Sequence, residues 1–368
     1  MLIGVDFRSA AGPRAGIGTY IFHLVKNLSK VDTLNSYVLY CRTPCLDLVD
    51  QDGRFRIKTF KGPLFFWHIR VLFDILCGKI DLYFTSSFIL SSVLRKGSCI
   101  LFIPDATGYM FPEYHTLKVG ILTKLYRIAV RKAKRVLTIS QASRRDIIDH
   151  FHISSDKIIV TYLAASPDFK EIHDKSFLDS VRVRHGLPDK YILFVGSIEP
   201  RKNLVGLINA FDKIRAKIDH KLVIVGGSGW RNSDVYETIE NTHLGKSILF
   251  TGYVTHDDLV AIYNLAEAFV FPSFYEGFGI PPLEAMACGV PVITSSAASL
   301  PEVVSDAAIQ VDPYDTGALA DAIYRIIHDR ALRDELIRKG FSRVKQFSWH
   351  LTAEETLRAL SQASREID

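Results

Sequence analysis

The fold is decided by one stretch of the chain, Phe271-Pro-Ser-Phe-Tyr-Glu-Gly-Phe-Gly-Ile-Pro-Pro-Leu-Glu-Ala-Met-Ala-Cys-Gly-Val-Pro-Val-Ile-Thr294. Its pattern predicts a buried strand, a glycine loop, a helix, a turn and a second strand. Pro281 and Pro282 suit the first turn of that helix, where a missing N–H costs nothing. Gly277 and Gly279 allow the backbone to approach a ligand closely. The helix start offers free N–H groups and the positive end of the helix dipole, so the stretch predicts an anion site.

Two carboxylates flank this predicted anion site. Glu276 lies in the loop, and Glu284 lies in the first turns of the helix. A carboxylate accepts hydrogen bonds through two oxygens, so it can hold a pair of neighbouring hydroxyls. One acid can therefore hold a sugar and the other a ribose, with phosphates between them. The alternative is structural: an acid that caps the helix and a buried glutamate with satisfied hydrogen bonds.

A second candidate region is the loop Gly196-Ser-Ile-Glu-Pro-Arg-Lys-Asn203, which follows another apolar strand. Arg201 and Lys202 are expected at the carboxyl end of that strand. Two cations there can stabilise the negative charge that develops on a diphosphate leaving group, without a metal. The alternative is a solvated basic turn with no ligand.

Short apolar strands alternate with helical stretches in both halves of the chain. In the first half they are Leu2–Val5, Ser36–Cys41, Leu82–Phe84, Cys99–Ile103 and Val136–Ile139, and in the second Tyr191–Val195, Leu222–Val225, Ile248–Thr251, Ala268–Phe271 and Val292–Thr294. This alternation predicts an α/β protein with two Rossmann-like, doubly wound parallel sheets. Ligands of such sheets bind at the carboxyl ends of the strands, so two domains that face each other would form a cleft. We place the first domain at residues 1–170 and the second at 187–345, and we expect a C-terminal helix at about 350–368 to pack back on the first domain.

The composition is that of an ordinary globular protein. Of the 368 residues, 48% are hydrophobic and 23% are charged. Residues 1–170 carry 24 Lys and Arg against 13 Asp and Glu, a net charge of +11, while the remainder carries 21 against 27, a net charge of −6. Neither a secretory leader nor a transmembrane stretch is recognisable. The five cysteines are irregularly spaced, which favours free thiols in a reducing, cytoplasmic compartment.

The spacing of Glu276 and Glu284 resembles the Glu-x7-Glu motif of retaining glycosyltransferases of family 4, which have the GT-B fold. The resemblance covers nearly the whole chain. The other segments that match the family are Gly16–Gly18, Arg135–Ser143, Glu199–Asn203, Phe250–Val254 and the region of Trp349. It implies a hexosyltransferase that needs no metal and no other cofactor, and that retains the anomeric configuration by front-face attack.

The resemblance also implies roles for individual residues. Glu284 would hold the donor ribose, and Glu276 would contact the transferred sugar beside the backbone N–H groups of Phe278 and Gly279. Arg201 and Lys202 would neutralise the diphosphate, so the catalytic residues are expected to be Arg201, Lys202 and Glu276. The residues expected around the donor are Gly16, Gly18, Gly196, Tyr253, Val254, Gly277, Phe278, Gly279, Ile280 and Glu284.

Within this set, Tyr253 and Val254 would flank the base. Gly16 and Gly18 would bring the first domain's loop against the diphosphate and the sugar.

The chain departs from the family pattern at two places. Family members often carry His-Asp after a first-domain strand, whereas this chain has Pro104-Asp105. Since proline donates no hydrogen bond, Asp105 or a neighbour such as Tyr109 is expected to serve the acceptor side, or activity is reduced. Many members also have an arginine where this chain has Ser197. Neutralisation of the diphosphate is therefore expected to depend more on Arg201 and Lys202.

The basic first domain suggests a second kind of partner. Residues 114–136 read as a basic amphipathic helix, and Pro63–Phe73 is aromatic and apolar. Together they suit an anionic membrane surface at the inner face of the cytoplasmic membrane. The alternative is that both apolar faces are core. No nucleic-acid-binding module is recognisable.

The predicted function is transfer of a hexose from a nucleotide sugar to a lipid-linked or saccharide acceptor in polysaccharide or glycolipid biosynthesis. Because Glu199–Asn203 resembles mannosyltransferase-like members, GDP-mannose is the preferred donor, and a UDP-sugar stays open. The alternatives are a donor-binding partner subunit with weak catalysis and a nucleotide-sugar epimerase of the same fold.

Overall fold

The computed structural model describes residues 1–12, 16–43, 53–86, 98–107 and 119–365, with only the backbone for residues 119–125 and 365. The chain forms two compact units. The first consists of Met1–Leu163 and Ser348–Asp368, and the second is Ala164–Phe347. The first segment of this unit thus ends at residue 163, whereas the sequence analysis placed the end of the first domain at residue 170.

The first unit is built on a parallel sheet of seven strands. They are β1 (Leu2–Asp6), β2 (Ser36–Cys41), β3 (Phe55–Thr59), β4 (Leu82–Thr85), β5 (Cys99–Phe102), β6 (Arg135–Thr138) and β7 (Ile158–Val160). Their order is β3-β2-β1-β4-β5-β6-β7. The direction of strand addition reverses between β1 and β4, which is the switch point at which ligands of such sheets bind.

The second unit is built on a parallel sheet of six strands. They are β8 (Tyr191–Val195), β9 (Lys221–Val225), β10 (Ile248–Gly252), β11 (Ala268–Phe271), β12 (Val292–Ser295) and β13 (Ala308–Val311). Their order is β10-β9-β8-β11-β12-β13, with the switch point between β8 and β11. Every residue of β8, β11 and β12 is buried, because a parallel sheet with helices on both faces has no solvated side.

Helices connect the strands of both sheets. Those of the first unit are α1 (Ile17–Val31), α2 (Leu64–Leu76), α3 (Val119–Lys132) and α4 (Gln141–Phe151). Those of the second unit are α5 (Lys175–His185), α6 (Leu204–Ile214), α7 (Ser233–Asn241), α8 (His256–Leu265), α9 (Ile280–Ala287), α10 (Leu300–Val304), α11 (Thr316–His328) and α12 (Arg330–Val344). The last helix is α13 (Trp349–Arg365), which belongs to the first unit.

Helix α13 packs against α1. The Trp349 ring stacks on His23 with centroids 4.7 Å apart and lies 6.2 Å from the Tyr20 ring. The Thr352 hydroxyl donates to the Tyr162 carbonyl over 2.6 Å. The end of the chain therefore completes the core of the first unit.

Two doubly wound parallel sheets confirm the predicted fold class, but the sequence analysis missed three strands. These are β3, β7 and β13. β3 and β13 are edge strands with partly exposed residues, and β7 has only three residues, so their apolar signal is weak. The helix expected at 114–136 is wrong at its end: α3 stops at Lys132, since Arg135 already pairs with Ile100 of the sheet. Residues 108–118 lie outside the described part of the chain.

Candidate functional site

Two loops that carry predicted site residues of the second unit lie at the switch point of its sheet. The loop after β8 carries Gly196–Asn203, and the loop after β11 carries Glu276 and Gly277 before α9 begins. β8 and β11 are neighbours. Since parallel strands end at one edge of the sheet, both loops lie at the position where such folds bind ligands.

Asn203 joins three of the connections at this edge. Its backbone is left-handed at φ +57°, and its side-chain oxygen caps α6 by accepting from the Gly206 N–H over 3.2 Å. Its amide nitrogen donates to the carbonyls of Pro272, over 3.1 Å, and Pro313, over 2.7 Å. The buried amide thereby fixes the loop after β8 to the loops after β11 and β13.

Glu276 is buried between the two predicted phosphate-binding cations. Lys202 Nζ lies 2.7 Å from Oε1, and Arg201 Nη1 lies 2.9 Å from Oε2. Burial alone would raise the pKa of Glu276, but the charges of Lys202 and Arg201 together hold that pKa below its usual value. The carboxylate is therefore ionised, and it positions both cations.

The charge cluster also includes Glu199, which in turn contacts Trp230 of the loop after β9. Arg201 Nη2 donates to Glu199 Oε1 over 2.6 Å, while Trp230 Nε1 donates to Glu199 Oε2 over 3.1 Å. Arg201 Nη1 also donates to the Tyr275 carbonyl over 2.7 Å. Arg201 is thus held from two sides. Lys202 uses one of its three N–H donors on Glu276, which leaves it capacity for a phosphate oxygen.

The glycine loop is shaped by Ser299, which the sequence analysis did not single out. Its buried hydroxyl lies 2.8 Å from the Glu276 carbonyl and 2.7 Å from the Phe278 carbonyl. Gly279 ends the loop at φ +109°, and a Cβ at this position would lie 2.7 Å from Leu300 Cδ2. The left-handed backbone favours glycine here, and any Cβ would also force the Leu300 side chain to move.

Helix α9 starts as the sequence predicts, with the prolines in its first turn and no side-chain cap at Gly279. Glu284 lies in this helix and accepts a hydrogen bond from the Tyr263 hydroxyl over 3.0 Å. Burial raises the pKa of Glu284 to about 7, although the hydrogen bond from Tyr263 opposes the rise. The two acids thus differ: Glu276 is paired with cations, and Glu284 faces a neutral hydroxyl.

The remaining residues of the second unit that were predicted to bind the donor include both buried and exposed ones. Gly277, Phe278 and Gly279 are buried, while Gly196 and Ile280 are partly buried. Beyond β10, Val254 is buried, whereas Tyr253 is 91% exposed. An exposed aromatic ring at the carboxyl edge of the sheet is available for stacking on a base.

Gly16, Gly18 and Asp105 lie in the first unit. Gly16 is the N-cap of α1, and Gly18 lies in its first turn, where a Cβ would be only 2.2 Å from the Ser9 carbonyl oxygen. Asp105 follows β5, and its carboxylate accepts from the Thr107 N–H over 2.9 Å. The Pro104 carbonyl accepts from the Thr138 hydroxyl over 3.1 Å. Tyr109 lies outside the described residues.

Tyr263, Ser299 and Trp230 are the site residues that sequence reasoning missed. They lie 21, 23 and 31 residues from their partners Glu284, Glu276 and Glu199. Each comes from a different connection of the sheet. No local pattern could have found them, because only the strand order brings these connections together.

Metal ligands and membrane spans were also sought among the described residues. There, no three His, Cys, Asp or Glu side chains are grouped so that they could hold a metal ion. In the same part of the chain, no helix has the length and apolar character needed to cross a membrane.

The sequence is similar to a family and to characterised bacterial enzymes. Residues 179–343 match the family described as glycosyl transferases group 1. The O-antigen chain mannosyltransferase B of Escherichia coli is 32% identical over 367 residues, which cover 94% of this chain and 96% of that protein. The serotype-specific mannosyltransferase WbdA of the same species is 34% identical over 245 residues, but the match spans only 30% of its length.

Solved structures share the architecture. HepE of Anabaena, in complex with UDP-glucose, aligns with a TM-score of 0.77 at 18% identity over 98% of this chain and 99% of its own. Sucrose-phosphate synthase of Thermosynechococcus elongatus aligns with a TM-score of 0.76 at 20% identity over 99% of both chains. At these identities the likeness concerns the fold, which is GT-B.

Proposed function

Because this chain belongs to the glycosyl transferases of group 1, we propose that it transfers mannose from GDP-mannose to a lipid-linked or saccharide acceptor. The coarser function is established by its relatives: it is a glycosyltransferase of polysaccharide biosynthesis. The single observation that carries the proposal is the ion-paired cluster of Glu276, Lys202 and Arg201 at the switch point of the second sheet.

The donor is proposed to lie along the carboxyl edge of the second sheet. Glu284 would accept two hydrogen bonds from the ribose hydroxyls, since an ionised carboxylate has acceptors only. The diphosphate would lie against Lys202, Arg201 and the free N–H groups at the start of α9. Tyr253 would stack on the base, which its exposure permits.

The proposed reaction is front-face substitution at the anomeric carbon. The bond between that carbon and the diphosphate oxygen breaks, and the acceptor hydroxyl oxygen bonds to the same face. The hydroxyl proton passes to the departing phosphate oxygen, so GDP leaves and no side-chain nucleophile is consumed. Lys202 and Arg201 would stabilise the charge that grows on the diphosphate, which is why no metal is required in this scheme.

Glu276 would serve the transferred sugar in two ways. Its carboxylate oxygens can accept from sugar hydroxyls, and the same oxygens fix the positions of Lys202 and Arg201. A preorganised cation pair needs no rearrangement when charge develops. Removal of the Glu276 carboxylate is therefore expected to lower kcat more than it weakens donor binding.

Peripheral association with a membrane surface is also proposed. It is supported by α2, which exposes Phe65 by 68%, Phe66 by 59% and Phe73 by 56%. Exposed aromatic residues along one helix, in a first half with net positive charge, fit the interface of an anionic bilayer. Because its relatives are named as transferases, neither the partner-subunit nor the epimerase alternative is favoured.

The test is thermal unfolding against a panel of nucleotides and nucleotide sugars, for wild type and Glu284→Ala. A ligand at about 100 times its Kd stabilises the native state by about 2.7 kcal/mol, which gives a clear shift in Tm. We expect GDP and GDP-mannose to give that shift in the wild type only. A shift with UDP compounds instead would refute the proposed donor, and a shift retained in Glu284→Ala would refute the site. Formation of a new nucleotide sugar from the donor alone would identify an epimerase.

A further inference from the structure

The loop after β9, residues 226–232, lies between the positions proposed for the base and the diphosphate of the donor. In the sheet, β9 is hydrogen-bonded to β10 on one side and to β8 on the other. The base is proposed at Tyr253, beyond β10, and the diphosphate at Arg201 and Lys202, beyond β8. Since neighbouring strands lie only about 4.8 Å apart, a donor that spans these two positions crosses the β9 loop.

The β9 loop is tied to the loop after β8 through the backbone. The Ile198 N–H donates to the Gly227 carbonyl over 3.1 Å, and the Gly229 N–H donates to the Ile198 carbonyl over 3.2 Å. A Cβ at Gly226 would lie only 2.0 Å from the Gly196 carbonyl oxygen, so this close approach depends on glycine. The two loops therefore hold each other in place.

Side chains fix the outer part of the β9 loop around Arg231. The Trp230 indole N–H donates to Glu199, and the Asn232 amide donates to the Ser228 hydroxyl over 2.5 Å. Arg231, between Trp230 and Asn232, has a left-handed backbone with φ +48°. Residues other than glycine adopt this conformation rarely, and they do so most often at functional sites.

The ion-paired cluster beside this loop carries no net charge. Arg201 and Lys202 contribute two positive charges, and Glu199 and Glu276 contribute two negative charges. A diphosphate diester adds one negative charge on each phosphorus. The cluster by itself therefore leaves the charge of the diphosphate uncompensated, so a further cation is required near it.

Arg231 is a cation with free capacity on the same edge of the sheet. Its side chain is exposed, and within the described part of the chain its guanidinium forms no ion pair with another residue. A guanidinium is planar and presents parallel N–H donors, which suits the oxygens of a phosphate.

We propose that Arg231 is a further donor-binding residue, which contacts the diphosphate from the β9 loop. The inference rests on the proposed function and extends its donor site by one cation. Arg231 would supply the positive charge that the ion-paired cluster lacks. Trp230 would be the positioning residue, because its hydrogen bond to Glu199 holds the β9 loop beside the cluster.

The test is titration calorimetry on the full chain with GDP and with guanosine, which lacks the diphosphate. The variant Arg231→Gln removes the charge and keeps a side chain of similar length. The matched control is Arg325→Gln, which removes an exposed arginine from the last turn of α11 in the same unit. Both variants change the net charge equally, so long-range electrostatics cancel in the comparison.

We expect Arg231→Gln to bind GDP about tenfold more weakly than the wild type, because it loses a charge-assisted hydrogen bond to a phosphate. Guanosine should bind both proteins equally, and the control should bind GDP like the wild type. Unchanged GDP affinity in Arg231→Gln, or equal weakening in the control, would overturn the proposal. Guanosine binding weakened as much as GDP binding would place Arg231 at the base and also overturn it.

The same measurement separates this inference from the proposed function. A wild type that binds UDP and not GDP would refute the proposed donor alone, and the comparison of UDP with uridine would then test Arg231. A wild type that binds neither diphosphate would refute the proposed function and the inference together.

Discussion

Replacement of Glu284 by glutamine is expected to stabilise the protein at pH 8 while it weakens nucleotide binding. Burial holds the pKa of Glu284 at about 7, whereas an ordinary glutamate has a pKa of 4.5. Ionising this side chain in the folded protein therefore costs roughly 3 kcal/mol more than in the unfolded chain, at about 1.4 kcal/mol for each pKa unit.

The sign of the pH dependence follows from the raised pKa. Below pH 4.5 the side chain is neutral in both states, and its contribution to stability is complete. That contribution is lost as the pH rises to about 7, because over this range the side chain ionises in the unfolded chain while the folded protein still holds the neutral acid. Glutamine stays neutral, so the variant should unfold at a higher temperature at pH 8 and at a similar temperature at pH 4.

Nucleotide binding should have the opposite dependence. If the ribose hydroxyls donate to the ionised carboxylate, the affinity of the wild type is constant above pH 7 and falls about tenfold for each pH unit below it. The variant has one side-chain acceptor oxygen instead of two, so it should bind more weakly and show no such change with pH. The assay is calorimetric titration of GDP between pH 5 and pH 8, with unfolding curves at the same pH values.

Glu237→Gln on α7 is the matched control, because it removes an exposed carboxylate from the same unit. It should leave both the Tm and the GDP affinity unchanged. The reasoning is refuted if Glu284→Gln lowers the Tm at pH 8, or if it binds GDP as tightly as the wild type.

Three further perturbations test how the loops are held. Lys202→Met should cost about 3–5 kcal/mol of stability in denaturant titrations. It should also raise the pKa of Glu276, because Lys202 is the strongest charge that lowers this pKa. The double variant Lys202→Met with Glu276→Gln should recover part of the lost stability. Asn203→Ala should cost about 2–4 kcal/mol through one helix cap and two tethers, and a loss below about 1 kcal/mol would contradict its tethering role. Ser299→Ala should cost about 1–3 kcal/mol and weaken GDP binding, whereas the exposed Ser342→Ala should change neither quantity.

The strands of the second unit were easier to predict from the sequence than those of the first unit. β8 and β11 are runs of apolar residues that end in Gly196 and Pro272, so both the strand and its end are marked. The edge strand β3, Phe-Arg-Ile-Lys-Thr, has an exposed Arg56 and a partly buried Lys58 among its five residues and has no such signal. Periodicity therefore finds strands that are buried on both faces, whereas it missed three of the four edge strands, β3, β7 and β13, and found only the edge strand β10.

The sequence does not determine which groups surround the two glutamates. A Glu-x7-Glu spacing indicates that Glu276 and Glu284 are near one helix start, but it says nothing of what faces them. The structure places Glu276 against two cations and Glu284 against Tyr263, and so moves their pKa values in opposite directions. The physical cause is burial, which favours the neutral acid unless a charge is near.

The sequence by itself determined the fold class, the glycine loop before α9 and the candidate identity of Arg201, Lys202, Glu276 and Glu284, because periodicity, turn residues and motif spacing are local properties of the chain. Only the tertiary structure decided which groups face them. Tyr263, Ser299 and Trp230 reach the site from other connections, and α13 returns to the first unit. The order of parallel strands brings such distant segments to one edge, and that order is set by packing of the whole sheet.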